Sequence, residues 1–406
     1  MTRASTRRVV VTGLGPVSSI GIGIADFAAG IRAGRSGISP ISGFDSTGFP
    51  HFMAGEVQGF EPKRILRRLT VDDWGPAGVL AACAARLAVQ DAGIAPEVLE
   101  AAPAGSAMGT TGGESKVTEL LTEEAITTGW GGITPDTVGH IPASRLAYAV
   151  NRELGLTGEA LTFSTACSAS NYAIGYAYDL IQSGEQEYMI AGGADTIARW
   201  SHAGFFRLGA IAAERCAPFD RDRGGIITGE GGAALFLESL DSARARGARI
   251  YGEVLGYGLN CDANHMVAPH PPGIAECMRR AHRNAGISPA DVDYICAHGT
   301  GTPANDVAEW QAVTEVFGDR TPPISSVKSM LGHTMGAASG FGAMAALVGM
   351  TEGFLPPTVN HANPDPLLEG LDPVPNRARP AEPRIVQNNG FAFGGNNAIT
   401  IFGRLT

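Results

Sequence analysis

Apolar and polar positions along the chain switch repeatedly between a period of two and a period near 3.6. Residues 8–12 form a β-branched run, with Val9, Val10 and Val11, that reads as a buried strand. Residues 74–92 are alanine-rich with helical periodicity, closed by Gly93. Residues 105–113 read as a strand entering a glycine-rich turn, 127–142 as a loop and 143–153 as a helix. A short buried strand is predicted over 160–165. Beyond it Ala173, Tyr176, Ala177, Leu180 and Ile181 share one helical face, and Gly184 supplies the stop. Residues 188–191 and 232–238 complete a first set of strands.

The pattern then restarts. A strand over 250–258, a helix over 273–285 and a buried strand over 292–297 lead to His298. A helix over 307–317 and a strand over 324–327 follow, then a turn and a helix with Phe341, Met344, Ala345 and Val348 on one face. A proline-rich connector spans 356–383, and 385–389 pairs with 398–402 around Gly390 to Asn397. Alternating strands and helices imply an α/β architecture. The second strand–turn–helix echoes the first, so the chain reads as a structural duplication, with halves at 1–250 and 251–406.

Composition narrows the class. At 406 residues and 44% hydrophobic content the chain can bury a large composite core. No run of eighteen apolar residues occurs, so no membrane span is expected, and the N-terminal stretch is too short for a signal sequence. The six cysteines are scattered without metal or disulfide spacing, which points to a reducing, cytoplasmic setting. A net charge of −10 argues against nucleic-acid binding, although a local basic cluster (Lys63, Arg64, Arg67, Arg68) could dock an acidic partner.

Several stretches carry chemistry. Gly13-Leu14-Gly15 resembles a dinucleotide fingerprint but lacks the third glycine and the distal acid, so a nicotinamide or flavin site is rejected. Cys167 lies where a strand turns into a helix, a place where the helix dipole lowers a thiol pKa. That effect is roughly 0.3–1 kcal/mol, too little to make a thiolate dominant at neutral pH, so a catalytic cysteine needs help from elsewhere. His298 opens His298-Gly-Thr300-Gly-Thr302, and His333 closes Lys328-Ser-Met-Leu-Gly-His333; both lie at strand-to-helix turns. Phe391-Ala-Phe393-Gly-Gly395 is a tight glycine turn able to present backbone N–H groups to an oxyanion. Cys261, His265 and His270 fit no common zinc spacing, so no metal is expected.

Thr165-Ala-Cys167-Ser, His298-Gly-Thr-Gly-Thr302, Lys328 to His333 and Gly390-Phe-Ala-Phe-Gly-Gly395 together resemble the β-ketoacyl-acyl carrier protein synthases of the elongating type, over nearly the whole chain. The resemblance implies the thiolase fold: two similar α/β halves in five layers, αβαβα, within a dimer. It implies that Cys167 accepts an acyl chain and that the N–H groups of Cys167 and Phe393 hold the oxyanion. His298 and His333 would promote malonyl decarboxylation, Lys328 and Glu309 would support them, and Phe393 would gate the acyl pocket. Thr300 and Thr302 would contact the phosphopantetheine arm, which arrives on the acyl carrier protein, so no resident cofactor is implied. The dimer is expected to be either a homodimer or a pair with a chain-length-factor-like subunit.

Two histidines beside the cysteine separate the chain from thiolases and chain-initiating synthases, and Cys167 separates it from non-catalytic chain-length factors. Three departures from the family pattern stand out: Gly390 and Ala392 around Phe391, a shortened stretch from Gly204 to Arg215, and no aromatic residue in Gly224-Gly-Ile-Ile-Thr228. They favour the ketosynthase subunit of a type II polyketide or polyene system over a homodimeric fatty-acid elongation synthase. A non-elongating acyltransferase or a structural pairing subunit is the alternative of another class. The resemblance also carries the 134–142 loop, with a polar His140, to the partner's acyl pocket.

Overall fold

The computed structural model describes residues 7–405. Strand β1 (Val9–Ser18) is buried along its whole length and contains the Gly13-Leu14-Gly15 pair. Helix α1 (Pro76–Ala92) lies so close to it that a Cβ on Gly13 would sit 2.1 Å from the Ala88 carbonyl oxygen, and one on Gly15 1.9 Å from that of Ala84. The glycines therefore serve helix–strand packing, which accounts for their spacing without any nucleotide.

The first half continues through β2 (Ala104–Gly109), α2 (Arg145–Leu154), β3 (Ala160–Phe163), α3 (Ala169–Ser183), β4 (Tyr188–Asp195) and β5 (Gly231–Ser239). The second runs through β6 (Gly252–Cys261), α4 (Pro271–Ala285), β7 (Tyr294–Cys296), α5 (Pro303–Phe317) and β8 (Ile324–Ser325). It ends with α6 (Ala338–Glu352), β9 (Ile385–Phe391) and β10 (Asn396–Gly403). The strand order is β8-β7-β9-β10-β6-β1-β5-β4-β2-β3, with Gly21–Ile22 added on β1. The two sheets of the expected sandwich thus join edge to edge, through three residue pairs between β1 and β6: Val9–Val254, Val10–Glu253 and Val11–Gly252.

Three apolar clusters fill the spaces between five layers. One lies between α1, α2 and the first half-sheet, one surrounds α3 and α6 between the half-sheets, and one lies under α4 and α5. Helix α6 is buried on every face from Ala338 to Met350, as a central helix must be. This is the αβαβα arrangement. The two central units repeat closely. Each passes through a non-glycine residue at φ +52°, Ala166 or Met335, into a one-turn 3-10 helix. A helix of 15 residues follows, closed by a left-handed glycine, Gly184 or Gly353. In this correspondence Gly336 stands where Cys167 stands in the first half.

Two expectations change. Strand β3 is exposed or half-exposed rather than buried, because it is the sheet's edge and bonds only to β2. Residues Ser115–Thr128 form a helix that the polar pattern concealed, and the 127–142 stretch contains a short helix at Pro135–Gly139 rather than loop alone. Among the described residues no helix is long and apolar enough to cross a membrane.

Gly15→Ala forces a methyl group into the α1 backbone. The expected loss is about 1–3 kcal/mol of stability, measured as a lower urea midpoint. An unchanged midpoint would show that the helix can move away.

Candidate active site

Four turns converge on one cavity of about 390 Å³, lined among others by Cys167, His298, His333, Thr300, Thr302 and Phe393. Each enters from a different part of the chain: the β3–α3 turn, the β7–α5 loop, the β8–α6 turn and the β9–β10 turn. Strands β7, β8 and β9 are mutually parallel and deliver their carboxyl ends to one side of their half-sheet, and the β3–α3 turn reaches the same cavity from the other half-sheet.

Cys167 is 6% exposed, at the head of α3. Ala166, just before it, holds a left-handed conformation that costs a non-glycine residue about 1–3 kcal/mol. Burial pushes the Cys167 thiol up to about 12; the Lys328 charge and the backbone N–H groups of Cys167 and Phe393 act in the opposite direction. The helix terminus therefore does not leave a lowered thiol pKa, contrary to the reading from sequence: desolvation exceeds the dipole. The two N–H groups of Cys167 and Phe393 thus converge on the sulfur from two different turns.

His298 and His333 are edge to face, with ring centroids 5.6 Å apart and planes at 82°. Burial drives both pKa values well below the usual histidine value, and the neighbouring Lys328 charge adds to this. Both rings are neutral at physiological pH. The Met335 N–H donates to His333 Nδ1 at 3.1 Å, which leaves the proton on Nε2. His333 is thus set as a hydrogen-bond donor. The His298 ring also packs on Phe391, at 5.6 Å between centroids.

Lys328 is buried and its pKa is lowered by that burial; its ammonium donates to the His298 carbonyl. Glu309 is fully buried and accepts from the N–H groups of His298 (2.8 Å) and Gly299 (2.7 Å) and from Asn389 Nδ2 (2.9 Å). Burial raises the Glu309 pKa against these donors. Lys328 and Glu309 therefore grip the backbone of the His298 turn rather than its ring. Thr300 and Thr302 share a hydroxyl contact of 2.8 Å, and Thr302 also caps α5. The Phe393 ring is partly exposed at the cavity wall and packs against Phe205 at 5.9 Å. Neither Arg67 nor Arg68 lines this cavity. Arg67 donates to the carbonyls of Arg64 and Leu66, and Arg68 pairs with Glu100.

The cluster of Cys261, His265 and His270 serves the backbone. His270 Nδ1 accepts from Gly273 N–H at the head of α4, and His265 Nδ1 accepts from Val267 and Ala268. Asp195 escaped the sequence reading. Its Oδ1 accepts from Thr110 Oγ1 and Gly112 N–H, and its Oδ2 from Thr111 N–H and Gly336 N–H. It ties the end of β4 to the turn that carries His333. An acid at the carboxyl end of a buried strand was the available signal.

A buried cysteine beside two imidazoles and a pair of N–H groups is an arrangement compatible with acyl transfer. Residues 6–243 match the β-ketoacyl synthase N-terminal domain and residues 251–362 its C-terminal domain. The chain belongs to the β-ketoacyl synthase family and is an acyltransferase of the ketosynthase type. It is 37% identical to 3-oxoacyl-[acyl-carrier-protein] synthase 2 of Synechocystis sp., over 99% of each chain. It is also 37% identical to Nodulation protein E of Rhizobium meliloti, over 98% of this chain and 99% of that one. Among solved structures it is similar to the ishigamide ketosynthase/chain length factor, with 49% identity, a TM-score of 0.97 and coverage of 99% of this chain and 100% of that one. A type II PKS acyl-carrier protein in complex with its ketosynthase bound to the hexaketide gives 30% identity and a TM-score of 0.90, covering 98% and 100% of the two chains.

Asp195→Asn puts an NH₂ group where two of the four donors need an acceptor, and each buried donor left unpaired costs about 1–3 kcal/mol. The variant should have a lower urea midpoint and slower condensation. Burial also raises the Asp195 carboxyl from 3.8 to about 6. A folded pKa above the unfolded one means the carboxyl's stabilising contribution is lost as pH rises through that window. The stability difference between wild type and variant should narrow from about pH 4 to pH 6 and then level off. A difference that widens over this range would contradict the assignment.

Proposed function

We propose that the chain is the catalytic ketosynthase subunit of a type II polyketide system. It condenses an acyl chain held on Cys167 with a malonyl thioester brought by an acyl carrier protein. The observation that carries this reading is the meeting of Cys167, His298 and His333 in one cavity that Thr300 and Thr302 also line. In the first half-reaction the Cys167 sulfur attacks the acyl thioester, the N–H groups of Cys167 and Phe393 hold the oxyanion, and the phosphopantetheine thiol leaves with the proton. In the second, the malonyl carboxylate departs as carbon dioxide and the charge passes to the thioester oxygen. Donation from His333 Nε2–H, joined by His298, stabilises that enolate. The enolate carbon then attacks acyl-Cys167, forms the new carbon–carbon bond and expels the Cys167 sulfur as a thiolate, which takes a proton from solvent. Neutral imidazoles suit this step, because decarboxylation needs donors and no carbanion-forming base.

Lys328 and Glu309 act as supports of the His298 turn, and Thr300 and Thr302 receive the phosphopantetheine arm, so the chain needs no cofactor of its own. Phe393, packed against Phe205 at the wall, acts as the gate. Arg67 and Arg68 serve as a docking patch for the acidic carrier. The halves 1–250 and 251–406 divide the labour, the first supplying the nucleophile and the second both histidines and the lysine; the repeated central units support this division. The open edge strand β3 and, separately, the exposed Leu120, Ile126 and Trp130 leave unpartnered surface that supports dimerisation. A chain-length-factor-like partner is favoured by the 49% identity to the ishigamide ketosynthase/chain length factor. The 37% identity to a 3-oxoacyl-[acyl-carrier-protein] synthase 2 favours the second reading, a homodimer elongating fatty acids. A reduced Cys167 fits a cytoplasmic setting.

Intact-protein mass after mixing with acyl-carrier protein, and then malonyl-carrier protein, tests the reaction. An acyl adduct absent in Cys167→Ala, and lost with formation of a lengthened product on adding malonyl carrier, is expected. An adduct that persists with the partner subunit present would instead indicate a non-elongating acyltransferase. The double charge reversal Arg67→Glu with Arg68→Glu should weaken carrier binding about tenfold or more at low salt and less at high salt. Unchanged affinity would remove the docking assignment.

A further inference from the structure

Behind the His298 turn runs a buried chain of side chains that ends outside the cavity lining. Glu309 can only accept, so Asn389 must present its Nδ2 to it, at 2.9 Å. The Asn389 Oδ1 is then left to accept from Gln387 Nε2, at 2.8 Å. That orientation turns the Gln387 Oε1 towards His282 Nε2, at 2.7 Å, where it can only accept. His282 therefore carries its proton on Nε2. All three amide and imidazole donors point the same way, towards the Glu309 carboxylate.

The residues come from three elements: His282 from α4, Gln387 and Asn389 from alternate positions of β9, and Glu309 from α5. Alternation puts Gln387 and Asn389 on the sheet face that meets the outer helices. Asn388, between them, faces the opposite way and donates to Asn171 Oδ1 and the Ser339 carbonyl. His282, Gln387, Asn389 and Glu309 are all at most 4% exposed, and the His282 ring is held edge-on to Phe317 at 5.6 Å. None of His282, Gln387 or Asn389 lines the cavity.

We infer that His282, Gln387 and Asn389 form a positioning relay that orients the Glu309 carboxylate, and through it the backbone of the His298 turn, for the decarboxylation half-reaction. The inference rests on the role given to His298 above. Glu309 has two oxygens, and its Oε1 is shared by the His298 N–H and Asn389 Nδ2. Without the Asn389 donor, that oxygen is free to rotate off the His298 N–H, and the imidazole shifts with its backbone. Cys167 belongs to another turn in the first half of the chain and makes no hydrogen bond to the relay. Acyl transfer to Cys167 should therefore be spared while carbon dioxide release is not.

The test separates the two half-reactions. Acylation of Cys167 is followed by intact mass and carbon dioxide release from malonyl-carrier protein is followed separately, in the assembly that supports condensation. His282→Leu removes the terminal donor; His282→Gln keeps an amide donor at a similar reach. His282→Leu should slow carbon dioxide release about tenfold or more, with acylation within about twofold, and His282→Gln should recover most of the loss. Gln387→Met, which cuts the chain at its middle with a side chain of similar size, should repeat the effect and serves where the leucine variant folds poorly. Equal rates of carbon dioxide release in His282→Leu, Gln387→Met and wild type would overturn the relay. So would a parallel fall in both half-reactions, or no recovery with His282→Gln. His298→Ala runs beside them: if it decarboxylates at the wild-type rate, the failure lies in the role of His298 and the relay falls with it. If it fails to decarboxylate while the relay variants are unaffected, the relay alone is wrong.

Discussion

Two buried carboxylates hold the turns that carry the histidines, and the rest of the site depends on them. Asp195 collects four donors and draws the Met335-Gly336 corner against the end of β4. Glu309 collects the N–H groups of His298 and Gly299 together with Asn389. Turns between strand and helix leave N–H groups that regular structure does not satisfy. A carboxylate from another element satisfies several at once and fixes the turn in place. The arrangement spends charge desolvation, visible in the raised pKa of both acids, on rigidity at the point of reaction.

Burial also sets the electrostatic character of the site. It raises the Cys167 thiol, lowers both imidazoles and lowers Lys328, so each group is pushed towards its neutral form. Around Cys167 this leaves a cluster of uncharged groups, which suits an uncharged acyl thioester. On the proposed mechanism such surroundings also favour loss of a carboxylate, because the charged ground state gains little there while hydrogen-bond donors meet the charge on the enolate oxygen. The helix terminus at Cys167 contributes oriented N–H groups more than it contributes acidity.

The duplication places these parts. Both central units use a residue at φ +52° to enter a helix of 15 residues, yet one presents Cys167 and the other presents Gly336 at the matching position. Gly336 has no room for a side chain: a Cβ would lie 2.4 Å from Thr110 Cα. The second unit brings His333 rather than a cysteine to the cavity. One backbone device, used twice, yields two chemistries.

The sequence by itself determined the alternation of strands and helices, the repeated strand–turn–helix unit and the residue types at each turn. These are local properties: hydrophobic period, glycine stops and the side chains between them. It also exposed Cys167, His298, Lys328 and His333 as candidates, since each stands in a short motif at a predicted turn. Only the tertiary structure decided that β3 is an exposed edge and that 115–128 is a helix with a weak apolar period. Only it showed that Gly13 and Gly15 admit α1 and that burial overrides the helix dipole at Cys167. Asp195 and the line from His282 to Glu309 were invisible for the same reason. Their function lies in donors and acceptors that, the Gln387–Asn389 link apart, the chain separates by tens to hundreds of positions, and hydrogen-bond satisfaction between such groups exists only after the layers have packed.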